Sequence, residues 1–266
     1  VKLGQQVGIS NVVETAHQMG ILSPLEENPS LALGSSDVNL LEMVNGYSTV
    51  AADGKVQAPI LITKIVDRNG KVIFDEKNLP APVQGISYRS AFFMQELLKS
   101  GLREPGGTSM ALWSYIREFD RTTDFGGKTG TSNNHSDAWY IGITPGLVGG
   151  AWVGGEYRCI HFRTGALGQG SRTALPIWGF FIQDVLKDNR FKDKYQKKFS
   201  SPKEPIDASC YNCALYTPHV EEDSTMTDSI EIFVNEQGDT ITRHIIRSLS
   251  EPEDQAESPE SEETAL

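Results

Sequence analysis

Apolar residues at Leu3, Val7, Val12, Val13, Ala16 and Met19 recur at helical spacing, and Gly20 follows as a terminator, so the opening of the chain reads as one helix. Ser36 and Asp37 offer an N-cap for a second helix, with Val38, Leu41, Val44 and Tyr47 at threes and fours and Asp53-Gly54 as its end. Two β-rich runs, 60–66 and 71–74, flank Asp67-Arg68-Asn69-Gly70, a hairpin turn signal. Pro80 and Pro82 mark a linker. Ser87–Leu102 reads as a helix carrying Phe92, Phe93, Met94 and Leu97. Residues 126–162 are strand-rich. Pro176–Leu186 reads as a helix with proline near its first turn and Ile177, Phe180, Phe181 and Val185 facing inward. Ser229–Val234 and Thr240–Ile246 fit a short terminal hairpin.

These elements divide the chain into a main body at 1–188, a polar linker at 189–228, a short hairpin at 229–247 and a tail at 248–266. Composition sharpens the last of these. The 266 residues carry a net charge of −11, but seven acidic residues and no basic ones fall between Ser250 and Leu266, leaving −4 for the rest. A stretch of Glu, Ser and Pro has nothing to bury, so the tail is expected to be disordered. The acidic balance argues against a general nucleic-acid binder. At 38% hydrophobic residues the chain can build a core.

Cys159, Cys210 and Cys213 make no disulfide framework. Cys210 and Cys213 have C-x-x-C spacing without a second pair or a suitably placed His, and no metal site is expected. The chain starts at Val1 without Met and reads as an excised piece of a longer protein. Ala138–Gly155 holds no charge over 18 positions, but its six glycines and Pro145 describe two strands and a turn rather than a membrane span.

The densest chemistry lies in Gly126-Gly127-Lys128-Thr129-Gly130-Thr131-Ser132. On a strand Thr129 and Thr131 share one face, where two hydroxyls can hold a carboxylate. Gly130 lets a ligand backbone lie against the strand. Lys128 supplies a positive charge, although alternation places it on the opposite face, so its reach depends on twist or on an edge position. His135 follows closely and is a candidate substrate contact. Arg163 and Arg172 flank Gly165-Ala166-Leu167-Gly168-Gln169-Gly170 and are candidate anion contacts. That glycine run lacks the Lys and the strand–helix frame of a phosphate loop.

The order of several further segments narrows the reading. Pro29-Ser-Leu-Ala-Leu-Gly-Ser35, Gly46-Tyr-Ser-Thr-Val-Ala51, K-T-G at 128–130, Asp137-Ala-Trp-Tyr-Ile-Gly142, Thr144-Pro-Gly146 and Gly150-Ala-Trp-Val-Gly154 together resemble the transpeptidase domain of class A penicillin-binding proteins, over roughly residues 1–187. The resemblance implies an α/β fold, an antiparallel sheet flanked by helices, truncated here on its N-terminal side. It implies acyl transfer through a serine nucleophile set by S-x-x-K, S-x-N and K-T-G motifs. It assigns Lys128 to proton transfer and electrostatics, and Thr129, Gly130 and Thr131 to the substrate carboxylate. The backbone N–H of Thr131 goes to the oxyanion hole. The implied partners are D-Ala-D-Ala stem peptides and β-lactams, with no cofactor. An upstream glycosyltransferase domain and a membrane anchor outside this sequence are implied, as is a location on the outer face of the bacterial inner membrane.

The first two motifs are missing ahead of Lys128. Ser200-Ser-Pro-Lys203 and Ser132-Asn-Asn134 match the patterns but stand in the wrong places. The chain by itself is therefore expected to lack its nucleophile and to be inactive. The alternatives are a β-lactamase or carboxypeptidase relative, which shares K-T-G, and a non-catalytic penicillin-binding or sensor module.

Overall fold

The computed structural model describes residues 1–77, 80–202, 205–207, 226–234 and 240–248; Cys210, Cys213 and the acidic tail lie outside them. Contacts divide the chain into two compact units, Val1–Tyr211 and Asn212–Leu266.

The first helical stretch is two helices, α1 (Lys2–Val7) and α2 (Ile9–Gln18), because Gly8 takes a φ of 93° that no helix accommodates. A 3₁₀ turn follows at Pro29–Leu33. Helix α3 (Leu40–Ala51) starts later than the expected Ser36/Asp37 cap: Asn39 caps it instead, accepting from the Glu42 N–H at 2.9 Å. Glu42 in turn holds the α2–α3 connection. Its Oε2 accepts from the Leu22 N–H at 3.2 Å, the Ser23 N–H at 2.9 Å and the Ser23 hydroxyl at 2.7 Å. The Ser23 hydroxyl first, then these amides, hold the Glu42 carboxyl below its ordinary 4.5. A lowered carboxylate stabilises the fold above that value and stops doing so as the pH falls through its folded-state value. Glu42→Gln is therefore expected to lower the melting temperature at pH 7, with the difference from wild type shrinking below pH 4.5. A difference that is unchanged in acid would contradict this role.

Four short strands come next. β1 (Lys55–Val56) pairs with β4 (Val83–Gln84), and β2 (Lys64–Val66) pairs with β3 (Val72–Asp75), all antiparallel. The β2–β3 turn is closed by Asp67, whose Oδ1 accepts from the N–H groups of Asn69 and Lys71, both at 2.8 Å. Helix α4 (Tyr88–Arg103) is capped by Ser87 and buries Ala91, Phe92, Gln95, Leu98, Lys99 and Leu102; Met94 and Leu97 turn outward. The short helix α5 (Trp113–Ile116) sits between two 3₁₀ turns.

The central sheet has three antiparallel strands, β5 (Gly126–Thr131), β6 (Asp137–Thr144) and β7 (Leu147–Gly154), in the order β5-β6-β7. The chain then runs through α6 (Gly165–Gly168), α7 (Ala174–Lys187) and α8 (Asn189–Tyr195). In the second unit, β8 (Met226–Val234) and β9 (Thr240–Ser248) pair antiparallel. The mixed architecture of helices around an antiparallel sheet is the expected fold class.

Helix α7 covers one face of the sheet, while α3 packs on the other and α4 runs alongside β5. The inward face of α7 is Leu175, Trp178, Ile182 and Leu186, all buried. The expected set was wrong at three of its four positions: Ile177 and Phe180 are 52% and 59% exposed and Phe181 also faces out, while Val185 is half-buried. Both stripes satisfy helical spacing. Trp178 decides between them, because glycines on the sheet leave room for its indole. A Cβ at Gly142 would lie 2.1 Å from Trp178 Nε1, and one at Gly149 would lie 2.3 Å from Cζ3.

The residue that leads into β5 is anchored separately. Asp124 is buried, donates its N–H to Lys197 O at 3.1 Å and accepts from the Phe199 N–H at 3.1 Å. Lys198, Lys99 and Arg103 surround its carboxylate at 3.2, 3.8 and 3.8 Å. The segment after α8 thereby ties down the start of the strand that carries K-T-G.

Candidate active site at the edge strand

β5 is an edge strand, so one side of its backbone stays free of the sheet. The Ser132 N–H donates to Asp137 O at 3.0 Å. Successive residues of a strand alternate their hydrogen-bonding direction, so Thr129 and Thr131 point N–H and C=O away from β6. The observed partners agree: Ser109 Oγ donates to Gly127 O at 3.1 Å and Lys128 Nζ donates to Thr129 O at 2.6 Å. The Thr131 N–H therefore faces the open edge.

Side chains sort by the same alternation. Thr129 pairs with Tyr140 and Thr131 with Ala138, placing both threonines on the α7 face of the sheet. Both line a shallow polar recess with Thr108, Ser132, Asn133, His135, Gln169 and Ser171. Thr129 donates to Thr108 Oγ1 at 2.7 Å. Thr131 Oγ1 accepts from the Gly170 N–H at 3.0 Å, which leaves its own proton free to donate into the recess. Gly170 reaches this position because it has no side chain: a Cβ there would lie 2.3 Å from Trp139 O and 2.6 Å from Gly130 O.

Lys128 and Gly130 occupy the opposite face. Lys128 is exposed and does not line the recess, so the structure brings the two threonines together but leaves the ammonium to reach around the edge. Beneath the strand the Tyr140 phenol is fully buried, and burial raises it well above its ordinary 10.0, only partly offset by Ser109. It is therefore a neutral part of the support at any physiological pH. Arg163 and Arg172 are exposed and lie outside the recess lining.

Sequence reasoning missed Thr108, Gln169 and Ser171. The Gly106-Gly107 pair was the available signal for Thr108. It turns the chain sharply after α4: Gly106 has a φ of 83°, and a Cβ at Gly107 would lie 2.3 Å from Gly101 O. Gln169 lies in the glycine run that was set aside as a phosphate loop, and nothing local marked Ser171; both arrive from a loop far along the chain.

Residues 1–148 match the penicillin binding protein transpeptidase domain. The chain belongs to the penicillin-binding protein transpeptidase family. Among curated relatives, penicillin-binding protein 1A of Aquifex aeolicus is 33% identical over 187 residues, covering 70% of this chain and 24% of that protein. Penicillin-binding protein 2D of Bacillus subtilis is 32% identical over 189 residues, covering 70% of this chain and 26% of that protein. The chain thus spans about a quarter of the length of these relatives. Among solved structures, penicillin-binding protein 1A from Haemophilus influenzae shares the fold with a TM-score of 0.61 at 20% identity, over 91% of this chain and 37% of that one. PonA1 from Mycobacterium tuberculosis, solved in complex with penicillin V, gives a TM-score of 0.54 at 25% identity, over 73% of this chain and 52% of that one. This transpeptidase-family domain contains no helix, among the described residues, long and apolar enough to cross a membrane.

Proposed function

We propose that the recess beside β5 is the carboxylate end of a serine-type D-Ala-D-Ala transpeptidase site, and that the parent protein cross-links peptidoglycan stem peptides and binds β-lactams. The observation that carries this reading is the pair of threonines on one face of an open edge strand, with the Thr131 N–H turned to the same free edge. Two hydroxyls bind the terminal carboxylate of the stem, and the amide donates to the oxyanion as the scissile carbonyl becomes tetrahedral. Lys128, on a flexible exposed stem, supplies positive charge and helps proton transfer at the serine.

The reaction in this reading runs in two halves. The serine oxygen bonds to the scissile carbonyl carbon as the C–N bond to the terminal D-Ala breaks, and the serine proton leaves on that D-Ala amine. An amine of a neighbouring stem then attacks the ester, the serine oxygen departs, and the amine's proton returns to it. A β-lactam follows the first half only, with its ring C–N bond as the one that opens. No metal or organic cofactor enters either half. The site works in this reading outside the bacterial inner membrane, in a protein that also carries a glycosyltransferase domain.

Gly127 is preceded by neither an S-x-x-K nor an S-x-N motif, so we place the nucleophile outside these 266 residues. The test is direct. The 266-residue chain, incubated with a fluorescent penicillin, is expected to show no covalent adduct by intact mass. A stoichiometric adduct would contradict this placement.

A further inference from the structure

The recess does not end at the threonines. His135 also lines it, and among the described residues of the lining it is the one ionisable side chain; the others are hydroxyls and amides. We propose that His135 is a further ligand contact of this site, an Nε2–H donor to the ligand's carboxylate beside Thr131. The proposal rests on the carboxylate reading of the threonines given above.

The residue is held in an unusual way. Its φ of 59° is positive, a conformation uncommon for a residue with a side chain. The turn that imposes it is well built. The His135 N–H donates to Ser132 O at 2.9 Å, its carbonyl accepts from the Phe162 N–H at 3.3 Å, and Ser132 Oγ accepts from the Ser136 and Asp137 N–H groups at 3.0 and 2.9 Å. Gly168 lets the α6 loop close on the ring: a Cβ there would lie 2.5 Å from His135 Cβ. The turn sets the backbone of His135 and the loop packs against its side chain.

The two ring nitrogens are unequal. Nδ1 is buried and has no hydrogen-bond partner among the described residues. A proton there would be buried without an acceptor, which costs more than an unused lone pair. The neutral ring therefore carries its proton on Nε2, the nitrogen left to a ligand. The neighbours add donors of the same kind: Thr131 has its hydroxyl proton free because Gly170 already donates to its oxygen, and Gln169 contributes an amide. With no carboxylate among the described residues of the lining, this is a surface that selects an anionic, hydrogen-bond-accepting group.

The test compares penicillin G, which has a free carboxylate, with its methyl ester, which does not, as acylating agents of the full-length protein. His135→Gly removes the ring and keeps the backbone angle; His135→Asn keeps a donor and tolerates the same angle. The expected result is that His135→Gly slows acylation by the acid about tenfold, slows the ester little, and is partly rescued in His135→Asn. Equal slowing of acid and ester, or no slowing of either, would overturn the proposal. Thr131→Val runs in parallel. If Thr131→Val lowers the acid rate and His135→Gly does not, the His135 contact fails while the carboxylate reading stands. If neither variant discriminates acid from ester, the reading itself fails. Melting temperatures of the variants separate loss of contact from loss of fold.

Discussion

Trp178→Ala is expected to destabilise the domain by about 3–5 kcal/mol, the cost of deleting a large buried aromatic from a packed core. Trp178 is 3% exposed and joins α7 to the sheet through the groove at Gly142 and Gly149. At about 2–4 °C per kcal/mol for a domain of this size, the fall in melting temperature should be unmistakable. The complementary change, Gly142→Ala, fills the groove instead of emptying it. Its Cβ would stand 2.1 Å from the indole nitrogen, so the helix must move off the sheet. Phe180→Ala, on the exposed side of α7, should by contrast change melting little. Equal effects at Trp178 and Phe180 would mean that α7 packs by the other stripe.

The largest effect on activity is expected at Lys128. In the full-length protein Lys128→Ala should slow acylation by penicillin G more than about a hundredfold, because in the proposed reading it removes a full charge from beside the reacting serine and oxyanion, where one charged hydrogen bond is already worth about 1.5–3 kcal/mol. The Lys128 ammonium donates to Thr129 O at 2.6 Å. An exposed side chain rearranges in nanoseconds, so that contact does not hold it back. Melting should be nearly unchanged, since Lys128 buries nothing. Lys128→Arg tests the charge by itself: partial rescue is the expected outcome. A Lys128→Ala protein that acylates at the wild-type rate would remove this strand from the active site.

Much of this was legible in the residues, and the exceptions have physical causes. K-T-G was readable because alternation on a strand fixes which side chains share a face, and the structure keeps Thr129 and Thr131 together and Lys128 opposite. The Asn69-Gly70 turn was readable because turn chemistry is local. The break at Gly8 was missed because the apolar spacing continues across it and only the backbone angle reveals it. The inward face of α7 was misread because two stripes fit the period, and the choice lies with glycines more than twenty residues away on the sheet. The recess is the clearest case. Thr108, Gln169 and Ser171 join Thr129 only through tertiary packing, and no local pattern connects them. The expected disorder of the acidic tail and the role of Cys210 and Cys213 concern residues outside those described.

The central claim is that the threonine face of β5 receives the ligand's carboxylate, and the measurement that bears on it most directly is acylation of the full-length protein by penicillin G in Thr129→Val and Thr131→Val. Valine keeps the shape and removes only the hydroxyl, so packing is preserved. Each loss should slow acylation about ten- to a hundredfold; melting should stay close to wild type in Thr129→Val and fall in Thr131→Val, which leaves the Gly170 N–H without its acceptor. Wild-type acylation rates in both variants, with any change confined to melting, would contradict the claim and leave β5 as scaffold alone.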